Sequence, residues 1–227
     1  IGDRLEVEGF DVTYLDVDET GKVSLDAVKA AIRPDTILVS IMYANNEVGT
    51  VYPIAEIGKY LLRYRKKNNT NYPLLHTDAC QAVNYLDMSV ERLHTDLLTL
   101  NASKVYGPKG VGALFIRRGI DIEPIIYGGG QEHGLRSGTE NVPAIVGLGA
   151  TIEIAEEMKA SEVERLTQLQ EYFWKELQAI FSDAIMLNGP IVSESRLPNN
   201  LNVSFVGYEG ETLVLLSLIH ISEPTRR

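Results

Sequence analysis

The chain has 227 residues, 44% of them hydrophobic, and a formal net charge of −10, which suits one large domain or one domain plus part of another. An acidic surface repels phosphate backbones, and no apolar run approaches the ~20 residues that span a bilayer, so nucleic-acid and membrane partners are not expected. The single cysteine, Cys80, leaves neither an intramolecular disulfide nor a Cys-cluster metal site, and fits a reducing, cytoplasmic setting.

The first residues, "IGDRLEVEGF", begin without methionine and mid-pattern, with no signal-peptide character, as though cut from a longer chain. "VTYL" (12–15) and "TILVSIM" (36–42) are β-rich runs. Between them "SLDAVKAAI" (24–32) predicts a helix capped by Ser24 and stopped before Pro34. After Pro53, Ile54, Ile57, Leu61 and Tyr64 recur at three- and four-residue steps, the stripe of an amphipathic helix. "YPLLHTD" (72–78), "DLLTLN" (96–101) and "GALFIRR" (112–118) predict three more strands. Strands alternating with helices of this length imply βαβ crossovers and a mostly parallel sheet buried on both faces.

From 142 to 181 the period is purely helical, with Val163, Leu166, Phe173, Leu177 and Ile180 on one face. "NGPIVSESRLPNN" (188–200) reads as a polar, proline-bearing connection. "LNVSFV" (201–206) is then a strand and "GETLVLLSL" (210–218) the start of a helix, the opening of a second unit. "IHISEPTRR" continues no visible element.

In open α/β sheets, ligands bind beyond the carboxyl ends of the strands. That rule brings "ANNEVG" (44–49), "TDACQ" (77–81) and "NASK" (101–104) to one edge. Asp78 is expected there partly desolvated, which calls for a cation or good donors. Alone it reads more simply as the cap of a following helix, and Lys104 alone as a solvated lysine. Together they match what pyridoxal phosphate (PLP) demands: a carboxylate on the pyridine nitrogen and a lysine, held out of water, that bonds to the aldehyde carbon. Asn101 and Ser103, two residues apart in an extended stretch, can offer donors to a phosphate. The glycines at 128–130 and "RSGT" (136–139) add flexible backbone and hydroxyls, though neither a Walker loop nor GxGxxG occurs.

"SIMYANNEVGTVYPI", "HTDACQA", "NASKVYGPKGVGALFIRR" and "GGGQEHGLRSGTENV" resemble consecutive blocks of the cysteine desulfurases, a group of class V aminotransferases, from about residue 7 to 216. The resemblance implies an α/β fold of the fold-type I PLP transferases: a mostly parallel sheet with helices on both faces, then the start of a smaller C-terminal α/β domain. It places a partial large PLP-binding domain at 1–183, the small domain's beginning at 184–218, and a tail unlike the family at 219–227. It implies that Lys104 is the cofactor-bonded lysine and Asp78 the pyridine-nitrogen partner. Gln81 matches the residue at the ring's phenolic oxygen, Asn46 another cofactor contact, and Thr139 a hydroxyl lent to a partner subunit's phosphate, so a homodimer is implied. L-cysteine as substrate, and a sulfur acceptor or iron–sulfur scaffold protein as partner, come with it.

Departures are plain. Many relatives carry Ser-Gly-His before the lysine where this chain has Asn101-Ala102-Ser103, which keeps phosphate donors at both ends without the imidazole. The family's ring-stacking histidine is not matched by His76, His94, His133 or His220, and Cys80 sits beside the pyridine partner rather than on the family's persulfide loop, so it is expected to be a small packing residue. A selenocysteine lyase or another class V aminotransferase is the nearest alternative, and a non-catalytic fragment or binding module the more distant one.

Overall fold

A computed structural model describes residues 1–191 and 195–221. Its centre is a four-stranded sheet in the order β1 (Leu38–Ser40), β2 (Leu74–Asp78), β3 (Leu97–Asn101), β4 (Gly112–Ile116). The first three run parallel, with Leu75 beside Val39 and Thr77 beside Leu98, and β4 returns antiparallel against β3. The α/β, mostly parallel fold expected from the sequence is therefore present.

Helix α1 (Gly2–Val7) precedes α2 (Leu25–Ala31), whose N-cap Ser24 accepts from the Ala27 amide as its sequence predicts. Its end falls just before Arg33-Pro34, where proline disfavours helical backbone in the residue ahead of it. Helix α3 (Ile54–Asn68) crosses from β1 to β2, buries Ile54, Ile57 and Leu61, and stops at Asn69 in the left-handed conformation that asparagine tolerates. Gly58 is needed on that helix because a β-carbon there would lie 2.4 Å from the Leu93 carbonyl of α4 (Val90–Leu93).

Helix α5 (Val142–Phe181) starts at Asn141, which caps the Ala144 amide, with Pro143 in the first turn. Beyond it β5 (Ile185–Leu187) pairs antiparallel with β6 (Val203–Phe205), and α6 (Gly210–Ile221) follows. Edge-on packing of Phe181 on Phe205, centroids 5.1 Å apart, ties this ribbon to the end of α5. Much of the tail expected at 219–227 lies outside the described residues.

Several expectations need correction. Residues 12–15 form no strand, since strands require a ladder partner as well as β-prone side chains and these residues have none among the described residues. The sheet is buried on one face only. Val39, Leu75 and Leu98 pack under α3 and Thr77 is buried on the same face, whereas Leu38 and Leu114 on the other face are 44% and 46% exposed. The apolar stripe of α5 is real as a helix but only partly covered, with Phe173 55% and Ile180 70% exposed. Periodicity fixes which side of a helix is apolar, not what covers it.

Candidate active site

The carboxyl ends of β1, β2 and β3 form one rim. The chain leaving β1 stays alongside β2, since the Ile41 amide donates to the His76 carbonyl and the Tyr43 amide to the Asp78 carbonyl, at 3.1 and 2.7 Å. The Ala79 amide reaches the Thr99 carbonyl at 2.9 Å, which keeps β2 and β3 together to the edge. Asp78 thus ends one strand, Asn101 ends its neighbour with Lys104 one turn on, and Asn46 follows three residues after Tyr43.

Asp78 is exposed and its carboxylate accepts from the Cys80 amide at 2.9 Å. The partial desolvation expected for it is not seen. Residues 80–85 are turns rather than a helix, so it caps a turn, and Gln81 is half-buried within that turn. Lys104 is likewise exposed, not held out of water. Neither Asp78 nor Lys104 forms an ion pair among the described residues.

The support under Lys104 is rigid. Residues Ala102–Lys104 form a single 3-10 turn, flanked by buried Ala102 and Val105 that pack with Val83 and with Leu148 of α5. Asn84 donates to the Lys104 carbonyl at 3.2 Å. Gly107 lets the chain fold back, its amide donating to the Ala102 carbonyl at 2.9 Å, and a β-carbon there would crowd that carbonyl and Thr151 at 3.1 Å. The stretch through Ser103 is therefore not extended, as the sequence suggested. Asn101 accepts from both the amide and the hydroxyl of Ser103 at 2.9 Å, because asparagine at a strand end readily caps a tight turn.

Thr139 is exposed on the loop between β4 and α5, where Ser137 donates to the Gly129 carbonyl at 2.7 Å. Asn46 is exposed too, and its neighbour Asn45 shapes the loop by accepting from the Glu47 and Val48 amides at 2.9 and 2.8 Å. The structure thus gathers Asp78, Gln81, Asn101, Ser103, Lys104 and the Asn46 loop at one rim. Among the described residues no hydrogen bond or ion pair ties Thr139 to them.

One further feature lacked a local sequence signal. His76, two residues before Asp78 on the same face, lies between the hydroxyls of Ser40 and Thr99, both 2.8 Å from its ring nitrogens. Burial pushes its pKa below the ordinary value, against the upward pull of Asp78. Cys80 is half-buried, and burial first, then its bond to and the charge of Asp78, push the thiol up to about 12. A thiol held so far from ionisation is a poor nucleophile, in keeping with a packing role.

The residue set fits PLP: a carboxylate for a pyridine nitrogen, an open primary amine one strand away, and just before that amine the side-chain amide of Asn101 for a phosphate, with a Ser103 hydroxyl that would turn from Asn101 to join it. Among the described residues no cluster of metal-ligating side chains occurs and no helix is long and apolar enough to cross a membrane.

Residues 3–218 match the aminotransferase class-V family. The chain is 50% identical over 211 residues to the cysteine desulfurase IscS of Clostridium botulinum (strain Hall), covering 93% of this chain and 51% of that protein. Against the cysteine desulfurase IscS of Dictyoglomus turgidum it is 49% identical over 211 residues, with the same coverage. Among solved structures, a NifS-like protein superposes with a TM-score of 0.87 at 41% identity, over 99% of this chain and 59% of that one. The chain spans about half the length of the curated relatives it matches.

Proposed function

The chain belongs to the class-V aminotransferase family, and on that premise we propose that the whole protein is a PLP-dependent cysteine desulfurase, turning L-cysteine into L-alanine and passing the sulfur on as a persulfide. The observation that supports this most strongly is Asp78 and Lys104 on adjacent strand ends, both open to solvent and without ionic partners among the described residues. Similarity to the IscS desulfurases supports the substrate.

Lys104 would hold the cofactor covalently, then carry the substrate's α-proton once substrate has displaced it. Asp78 would bond the pyridine nitrogen, Gln81 the ring oxygen, and Asn46 would make a further contact. Asn101 and Ser103 would donate to the phosphate, with Thr139 serving the phosphate of a partner subunit in a homodimer. Bound PLP supplies an electron sink that acidifies the substrate's α-carbon. Cys80, with its thiol pushed up to about 12, is a poor nucleophile and is not assigned the sulfur-accepting role.

A sulfur acceptor or iron–sulfur scaffold protein would be the downstream partner, for cluster assembly or tRNA thiolation in the cytoplasm. A large PLP-binding domain would end near 183 and a smaller one begin near 184.

The test is a PLP titration read by visible absorbance. The parent chain should develop a band that Lys104→Ala abolishes. Asp78→Ala should weaken PLP roughly 10–100-fold, the value of a hydrogen bond to a charged group. A parent with no band sinks the reading. In the full-length protein, L-alanine release from L-cysteine supports desulfuration, and release from L-selenocysteine alone supports a lyase.

A further inference from the structure

Residues 195–202, beyond β5, look in sequence like a connection, yet they fold back onto the loop that carries Asn46. The Val51 amide donates to the Ser195 carbonyl at 2.9 Å and the Leu197 amide to the Gly49 carbonyl at 2.7 Å. Asn200 then donates its side-chain amide to the Glu47 carbonyl at 2.9 Å and the Asn46 carbonyl at 3.4 Å. Asn202 adds a bond to the Glu47 carbonyl at 3.1 Å. The approach is close enough to require glycine: a β-carbon at Gly49, whose φ is +75°, would fall 2.7 Å from the Asn200 side-chain oxygen.

This strap is itself anchored. Arg196 is 4% exposed and meets no carboxylate among the described residues. Its guanidinium donates instead to the Pro190 carbonyl at 2.7 Å, to the Asn200 side-chain oxygen at 3.0 Å and to the Asn188 carbonyl. An arginine buried on neutral acceptors is costly to desolvate, so each acceptor is held firmly in place. From the other side Gln170, buried on α5, donates to the Leu197 carbonyl at 2.9 Å and to the Asn200 carbonyl. The same helix packs Leu148 against the turn that presents Lys104. One long helix therefore braces both the lysine turn and the strap.

We propose that Asn200 is a positioning residue for Asn46: through its two donated bonds the strap at 195–202 sets the backbone of the loop that brings Asn46 to the cofactor. Arg196 fixes the Asn200 side chain from one end, leaving its amide hydrogens for the Asn46 loop at the other. The proposal rests on the reading of this rim as a PLP site.

Asn200→Asp separates positioning from simple support. The carboxylate keeps the acceptor that Arg196 uses, and gives that arginine a charged partner, but loses both donors to the Asn46 loop. The expected result is an unchanged or raised melting temperature, amide hydrogen exchange at residues 46–51 faster by about tenfold, and PLP affinity lower by about tenfold. Asn46→Ala should lose a similar amount, and the double variant should lose no more than the larger single loss, because the two act on one contact. Parent-like exchange, parent-like PLP affinity, or additive losses would each overturn the inference. Should Asn200→Asp not fold, Asn202→Asp removes one bond to the same loop and should show the same changes at smaller size, with parent-like values counting against the proposal. A parent that takes up no PLP through Lys104 overturns the site reading and the positioning role with it. A parent that binds PLP while Asn200→Asp behaves like it overturns the positioning role alone.

Discussion

The two ends of the central sheet use the same chemistry in opposite ways. At the amino end Asp96, 2% exposed, accepts from the Leu75 amide and from Arg65, both at 2.8 Å. Arg117 closes the corner, donating to the Thr95 carbonyl at 3.0 Å and to Glu91 at 3.0 Å. At the carboxyl end Asp78 and Lys104 stand exposed on rigid turns with no ion pair among the described residues. A charge that is buried, paired and hydrogen-bonded has its valence spent on the fold. A charge held in place by its backbone but unpaired is free to meet a ligand. Asp96 precedes its strand buried and paired, whereas Asp78 ends its strand exposed.

The largest effect expected from this contrast is on stability. Asp96→Ala should destabilise the fold by about 3–5 kcal/mol, because it strands buried Arg65 without its partner. Asp78→Ala should stay within about 1 kcal/mol of the parent, since it gives up one turn cap at an exposed site. Denaturant titration of both variants checks this, and equal losses would erase the distinction between the rims.

A smaller effect sharpens the account of the carboxyl rim. With its thiol near 12 against about 8.5 for a free cysteine, Cys80 has far less thiolate at pH 8, partly offset by the higher nucleophilicity of a more basic sulfur. Its reaction with an aromatic disulfide reagent should be on the order of 30-fold slower than that of free cysteine. Because the raised value makes the thiol ionise later, the rate should keep climbing with pH past 9. A plateau below pH 9 would contradict the environment described for Cys80.

What was legible in the sequence follows from how local each signal is. Ser24 and the apolar stripe of α3 announce their elements because caps and helical periodicity act within a few residues. The rim could be read from Asp78 and Lys104 because parallel strands put their carboxyl ends together. The turn at Ala102–Lys104 was missed because Asn101 caps its own neighbour, a choice that side-chain competition makes and strand propensity does not reveal. The strap was missed for a different reason. Asn200 and Asn46 are 154 residues apart, and the only trace in "RLPNN" is a polar, proline-bearing stretch indistinguishable from a linker. The exposed face of the sheet was misjudged because alternation of strands and helices predicts layers, not how many of them these residues supply.

The most direct measurement is borohydride reduction of the chain mixed with PLP, followed by peptide mapping of the modified lysines. The phosphopyridoxyl group should be fixed at Lys104, with Lys109 five residues on left unmodified, and Asp78→Ala should sharply reduce the yield. Modification spread over surface lysines, or indifferent to Asp78, would contradict it.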